Sequence, residues 1–111
     1  MSKDEYILQE YVNSGGINYF LKWLSNLRDI KARAKIRVRL NRIRLGNFGD
    51  AKSVGNGIFE LRIQYGPGYR VYFAKVDNII VLLLCGGTKS MQNKDIHHAK
   101  LYWEDYQRRI S

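Results

Sequence analysis

Three basic residues in the second half of the chain have the types and spacing for phosphate chemistry. They are Arg62 in Glu60-Leu61-Arg62, Arg70 in Gly68-Tyr69-Arg70, and Lys89 in Gly86-Gly87-Thr88-Lys89-Ser90. Cations held together in this way stabilise the negative charge that develops on a phosphate under attack. Strand register decides whether they meet. The runs Ile58–Tyr65, Tyr69–Val76 and Ile79–Cys85 read as strands, with Gly66-Pro67-Gly68 and Asp77-Asn78 as the turns between them. A three-residue loop at 66–68 pairs Tyr65 with Tyr69, Ile63 with Val71 and Leu61 with Phe73, which makes one apolar face. The opposite face then pairs Gln64 with Arg70 and Arg62 with Tyr72. A two-residue turn at 77–78 sets Phe73 against Leu82, Val71 against Leu84, Tyr72 against Leu83 and Arg70 against Cys85. Arg62, Gln64, Arg70 and Tyr72 therefore share a face, and Lys89 emerges beside its edge. Two arginines on a mostly apolar sheet need an anion or a carboxylate between them. A phosphate is one occupant. Glu60, on the same face, is the other.

Proton transfer would need different groups, because a guanidinium is too basic to act as a general base. Asp95, His97 and His98 are the titratable residues closest in sequence to Lys89. Successive helix residues point about 100° apart. At most one histidine can therefore face the site, and His97 is the candidate, against the plainer reading that both lie on a helix surface. Metal chemistry is not indicated. One cysteine, Cys85, and an adjacent His97-His98 pair do not make a zinc spacing, and no carboxylate cluster is present. No cofactor is expected.

Charge points the same way as the arginines. The 111 residues carry 19 Lys and Arg against 10 Asp and Glu, a formal net charge of +9, which concentrates polyanions at the surface. The cations cluster between Arg28 and Lys52, where Lys31, Arg33, Lys35, Arg37, Arg39, Arg42 and Arg44 are candidate RNA contacts, joined by Gln64 and Tyr72 on the sheet. The same charges suit an acidic segment of a partner protein, or a solvated face kept for solubility.

The elements that position these residues can be read in outline. Tyr6–Val12 is a short candidate strand ended by Asn13-Ser14-Gly15-Gly16. Ile17, Phe20, Leu21, Leu24 and Leu27 recur at helical spacing, which predicts a helix over Asn18–Arg28. The basic segment after Asp29 alternates as a strand would from Lys31 to Leu40, yet Ala32, Ile36, Leu40 and Ile43 also fall on one helical face. Its Ala, Lys, Arg and Leu content and the capping Asp29 favour a helix ending near Gly46. Gly46–Gly57 reads as loop. Ile79–Cys85, apolar throughout, predicts a central strand covered on both faces. A final helix is expected over Ser90–Arg109, capped by Ser90. Residues 1–111 form a single domain at this length. The N-terminal MSKDEYILQEYV is too polar for a signal peptide, and the longest apolar run is too short to cross a bilayer. With one cysteine, this fits a reducing, cytoplasmic setting without membrane attachment.

The stretch IFELRIQYGPGYRVYFAKVDNIIVLLLCGGTKSMQNKDIHHAK resembles the RelE/ParE superfamily of bacterial toxins, in the HigB-like addiction module killer branch of type II toxin–antitoxin systems. ELR, GYRVYF and GG-x-KS-x-Q-x-x-DI carry the resemblance through their order and spacing. It extends over nearly the whole chain, including FLKWLSNL and the basic segment. It implies a small RelE-like α+β domain of order β-α-α-β-β-β-α: an antiparallel sheet of about four strands, an N-terminal helix hairpin and a C-terminal helix. It also implies that the basic segment is a helix. The implied activity is ribosome-dependent mRNA cleavage, in which the RNA 2′-hydroxyl attacks the adjacent phosphate while Arg62, Arg70 and Lys89 hold it. Thr88 stands where an acidic residue often follows the double glycine, and the tyrosine used by RelE has no clear counterpart near Asp95-Ile96-His97. The superfamily also includes toxins that poison DNA gyrase, and a non-catalytic nucleic-acid-binding relative is a third reading. Implied partners are the ribosome with mRNA, a cognate antitoxin with a helix-turn-helix domain, and operator DNA through the antitoxin complex alone.

Overall fold

The structure, a computed structural model, describes residues 5–111. Its element order is β1 (Ile7–Glu10), α1 (Tyr19–Asn26), α2 (Ile30–Arg44), β2 (Ala51–Gly55), β3 (Ile58–Ile63), β4 (Tyr69–Val76), β5 (Ile80–Thr88) and α3 (Gln92–Ile110). A single 3-10 turn, Lys89–Met91, leads into α3. The class is α+β. The five strands form one sheet in the order β1-β5-β4-β3-β2.

The sheet is the middle layer of three. Phe20 and Leu24 of α1 and Ala32, Ile36, Leu40 and Ile43 of α2 pack on one face, against Leu61, Ile63, Val71, Phe73, Val81 and Leu83. Ala99 of α3, with Ile96, Tyr102 and Trp103 partly buried beside it, covers the other face, against Ile58, Tyr72, Ala74, Leu82 and Leu84. Being covered twice leaves most of β4 and the first part of β5 buried without alternation. The basic segment is helical because its 3.6-residue stripe finds this core. Asp29 caps it, accepting from the backbone N–H groups of Lys31 and Ala32.

Several expectations need correction. The sheet has five strands rather than four and is mixed, since β1 joins β5 in parallel. The additional strand, β2, lies inside the segment read as loop and pairs antiparallel with β3. Asn56 and Gly57 make the turn between them, both with positive φ (56° and 82°), the backbone that suits a two-residue hairpin. Ser90 does not cap α3, whose N-cap position is Met91.

The hairpin registers also shift. β3 and β4 pair Ile63 with Tyr69, Arg62 with Arg70 and Glu60 with Tyr72, two residues away from the expected register. A shift of two keeps every side chain on its face, so the shared face of Arg62, Arg70 and Tyr72 survives. The loop lengthens because Tyr65 turns towards α2, where its hydroxyl donates to Asp29 at 2.9 Å and Lys35 sits over its ring. At the next turn Val76 pairs with Ile80, which moves Phe73 opposite Leu83 and puts Leu82 and Leu84 on the Tyr72 face. A bulge then restarts the ladder with Tyr72 opposite Cys85 and Arg70 opposite Gly87.

Candidate functional site

The bulge brings the double glycine inside β5, with one glycine facing each helical layer. A side chain on Gly86 would have its Cβ 2.6 Å from Trp23 Cδ2 of α1. One on Gly87 would have its Cβ 2.8 Å from Asp95 Cγ of α3. Both helices close on the sheet here because neither residue carries a Cβ.

Beside Gly87, on the α3 face, lies a buried polar cluster centred on Glu60, which is fully buried. Tyr72 donates its hydroxyl to Glu60 Oε2 at 3.1 Å, and Gln92 of α3 donates its amide to the same oxygen at 2.6 Å. Arg70 Nε stands 3.8 Å from Glu60 Oε2, and Arg62 Nε stands 3.8 Å from Oε1. Among the described residues neither Nε has a hydrogen-bond partner, so the attraction between these charges is coulombic. Burial, followed by the Glu60 charge, pushes the Tyr72 hydroxyl far above its usual range. It therefore remains a donor to the carboxylate. Asp50 lies 3.5 Å from Arg62 on the outer side and accepts from Gln64 at 3.1 Å.

The carboxylate that two neighbouring arginines require is thus supplied from within. Arg70 is 5% exposed and sits against Glu60. Arg62 keeps about a third of its side chain in solvent. Lys89 is exposed, and its backbone N–H donates to Gly68 O at 2.8 Å. Arg70 Nη1 and Lys89 Cβ both border Gly68, so Arg62, Arg70 and Lys89 do gather at one end of the sheet.

Other predicted residues fall differently. His97 is exposed, with its ring 6.0 Å from that of His98, and lies outside the Glu60 cluster. Tyr72 is fully buried, which corrects its assignment as an RNA contact. Gln64 is exposed next to Arg62. Along α2, Lys31, Lys35, Arg37, Arg42 and Arg44 are exposed. Arg33 and Arg39 have work inside the fold. Arg33 donates to Leu27 O at the α1–α2 junction. Arg39 donates to the carbonyls of Arg62, Phe48 and Asp50, at 2.5, 3.2 and 3.2 Å.

Asp95 stands over Gly87 with its Oδ2 buried and, among the described residues, without a hydrogen-bond partner. Desolvation raises its pKa above the usual carboxylate value, and the opposing pull of His98 is weaker. Cys85, two residues before Gly87 on β5, is pushed up to about 12, first by burial and then by the Asp95 charge. Gln92 and Asp50 were not legible as site residues. Glu60 was, because it alternates with Arg62 in Glu60-Leu61-Arg62. Among the described residues no group of three or more His, Cys, Asp or Glu side chains could hold a metal ion.

No family profile matches the chain. A protein of Haemophilus influenzae (strain KW20/Rd), described as uncharacterized, is 57% identical over 82 residues, covering 74% of this chain and 83% of that protein. The chain belongs to the family of that Haemophilus protein. The likeness assigns neither of them an activity.

Proposed function

We propose that the chain is the toxin of a type II toxin–antitoxin module, HigB-like within the RelE/ParE superfamily, and that it inhibits translation as a ribosome-dependent mRNA endoribonuclease. The observation that carries this reading is the gathering of Arg62, Arg70 and Lys89 at one end of the sheet, around Glu60 and Gly68. These are the residues that the family resemblance assigns to the scissile phosphate.

In this reading the RNA 2′-hydroxyl attacks the adjacent phosphorus, the bond to the 5′-oxygen breaks, and the products are a 2′,3′-cyclic phosphate and a 5′-hydroxyl. Lys89 and the exposed part of Arg62 meet the phosphate oxygens. Arg70, pinned by Glu60, contributes its positive field from behind. His97 is the candidate for proton transfer, and the ribosome supplies the orientation that so sparse a set of acid and base groups does not. Gln64 and the exposed cations of α2 contact RNA. No cofactor takes part. The expected setting is the cytoplasm, with a helix-turn-helix antitoxin as neutralising partner and operator DNA bound through that complex. No helix of the described residues is long and apolar enough to cross a membrane.

The test is mapping of mRNA 3′ ends in a translating extract with purified protein, beside a ribosome-free control. Cuts in codon register only with ribosomes, lost in Lys89→Ala and Arg62→Ala, support the reading. Cuts without ribosomes point to a self-sufficient nuclease and to His97 and Asp95. The burial of Arg70 against Glu60 favours a second reading, in which the arginine pair is structural and the chain poisons DNA gyrase. Inhibition of supercoiling by the purified protein, with no cut mRNA, would establish that instead.

A further inference from the structure

A groove of about 370 Å³ opens between α2 and the end of β3, away from the Glu60 cluster. Ala34, Val38 and Ile63 form an apolar floor, with Lys35, Arg39 and Arg42 on the helix side and Gln64 and Tyr65 at the strand end. Among the described residues no carboxylate lines it. The two acidic groups nearby are already engaged, Asp50 by Arg62 and Gln64 and Asp29 by Tyr65 and the α2 backbone. Arg39 is fixed on three backbone carbonyls, so its guanidinium is held in place and its charge contributes to the field. Lys35 and Arg42 lie seven residues apart on one side of the helix, about 10 Å along its axis. Either can lean towards the middle of the groove. Lys35 Nζ rests 5.1 Å over the Tyr65 ring, within cation–π range.

We propose that this groove binds one nucleoside phosphate: the base on the Ala34–Val38–Ile63 floor, the phosphate held by Lys35 and Arg42, and the Gln64 side-chain carbonyl available to a base amine. An apolar floor with a few convergent polar groups, at this volume, suits a small ligand. Three cations in the lining suit a phosphate, and the apolar floor beside them suits the face of a base. The nucleoside phosphate is either a free nucleotide or one residue of an RNA strand. As a site for an RNA residue it rests on the RNA contacts of the proposed function and deepens them; it does not depend on cleavage at Arg62 and Lys89, so loss of cleavage and loss of binding are read separately.

The experiment is an amide-shift titration of the full chain with UMP and AMP, with a short oligouridylate, and with inorganic phosphate. Ala34, Val38, Ile63 and Gln64 should shift together. Arg42→Ala should weaken binding about tenfold, the effect of one charge-assisted contact. Lys22→Ala, which makes the same change in net charge on α1, should leave it unaltered. Ala34→Glu places a carboxylate in the groove at an exposed helix position and should abolish binding without unfolding. Shifts with the monophosphates assign a free nucleotide. Shifts with the oligonucleotide alone, still lost in Ala34→Glu, assign an RNA residue. The proposal is overturned if inorganic phosphate moves the same amides as strongly as UMP, if Ala34→Glu retains binding, if Lys22→Ala weakens it as much as Arg42→Ala, or if an acidic peptide binds where no nucleotide does.

Discussion

Replacing Glu60 by glutamine tests whether the buried carboxylate is what holds the arginine pair. The change keeps the shape and leaves an amide oxygen to accept from Tyr72 and Gln92, so the main loss is charge. Each arginine Nε lies 3.8 Å from a Glu60 oxygen. At an effective dielectric constant near 20, that separation is worth about 4 kcal/mol of gross attraction per pair. Arg62 is partly solvated, so its share is reduced, and removing Glu60 from water offsets much of the rest. What remains is the cost of leaving Arg70 buried without a counter-charge, about 3 kcal/mol. In a domain of this size that lowers Tm by roughly 12 °C. Thermal and urea unfolding followed by circular dichroism reads it directly. Glu60→Gln with Arg70→Met should recover a good part of the loss, since both charges are then gone. An unchanged or higher Tm for Glu60→Gln would refute the reasoning, as would strict additivity in the double variant.

Other outcomes follow from the same packing. Gly86→Ala drives a methyl into the Trp23 ring and should lower stability by about 1–3 kcal/mol in urea unfolding. The Cys85 thiol, buried and pushed up to about 12, should react with a disulfide reagent at pH 8 at least about tenfold more slowly than in the unfolded chain, because loss of thiolate outweighs the greater nucleophilicity of a more basic sulfur. Comparing the rates with and without denaturant checks this. Asp95 has a raised pKa in the folded state, so the folded protein holds the proton more tightly than the unfolded one. The resulting stability is fully present below the ordinary value of 3.8 and declines as pH rises through the raised folded value. Asp95→Asn should remove that decline, seen as a flatter curve of urea-unfolding free energy against pH.

The elements were largely legible because burial leaves a periodic trace. Ala32, Ile36, Leu40 and Ile43 marked α2 against a competing alternation, and Asp29 marked its start, so local physics and family resemblance agreed on the helix. The uninterrupted Ile79–Cys85 run marked a strand covered twice. β2 was missed although Asn56-Gly57 is a strong hairpin signal. Its Ala-Lys-Ser-Val sequence is half exposed at the sheet edge and carries no apolar alternation.

The shared face of Arg62, Arg70 and Tyr72 was set by the sequence itself, since side chains alternate along a strand and a two-residue slip cannot exchange faces. Which of these side chains are enclosed and which reach solvent was decided only by tertiary structure. The bulge at Tyr72, the docking of α3 through Gln92, and the close approach allowed by Gly87 enclose Glu60 between the arginines. Enclosure separates Arg70 from solvent while leaving Lys89 and part of Arg62 outside. No local pattern encodes this, because it depends on how three layers, distant in sequence, close over a single carboxylate.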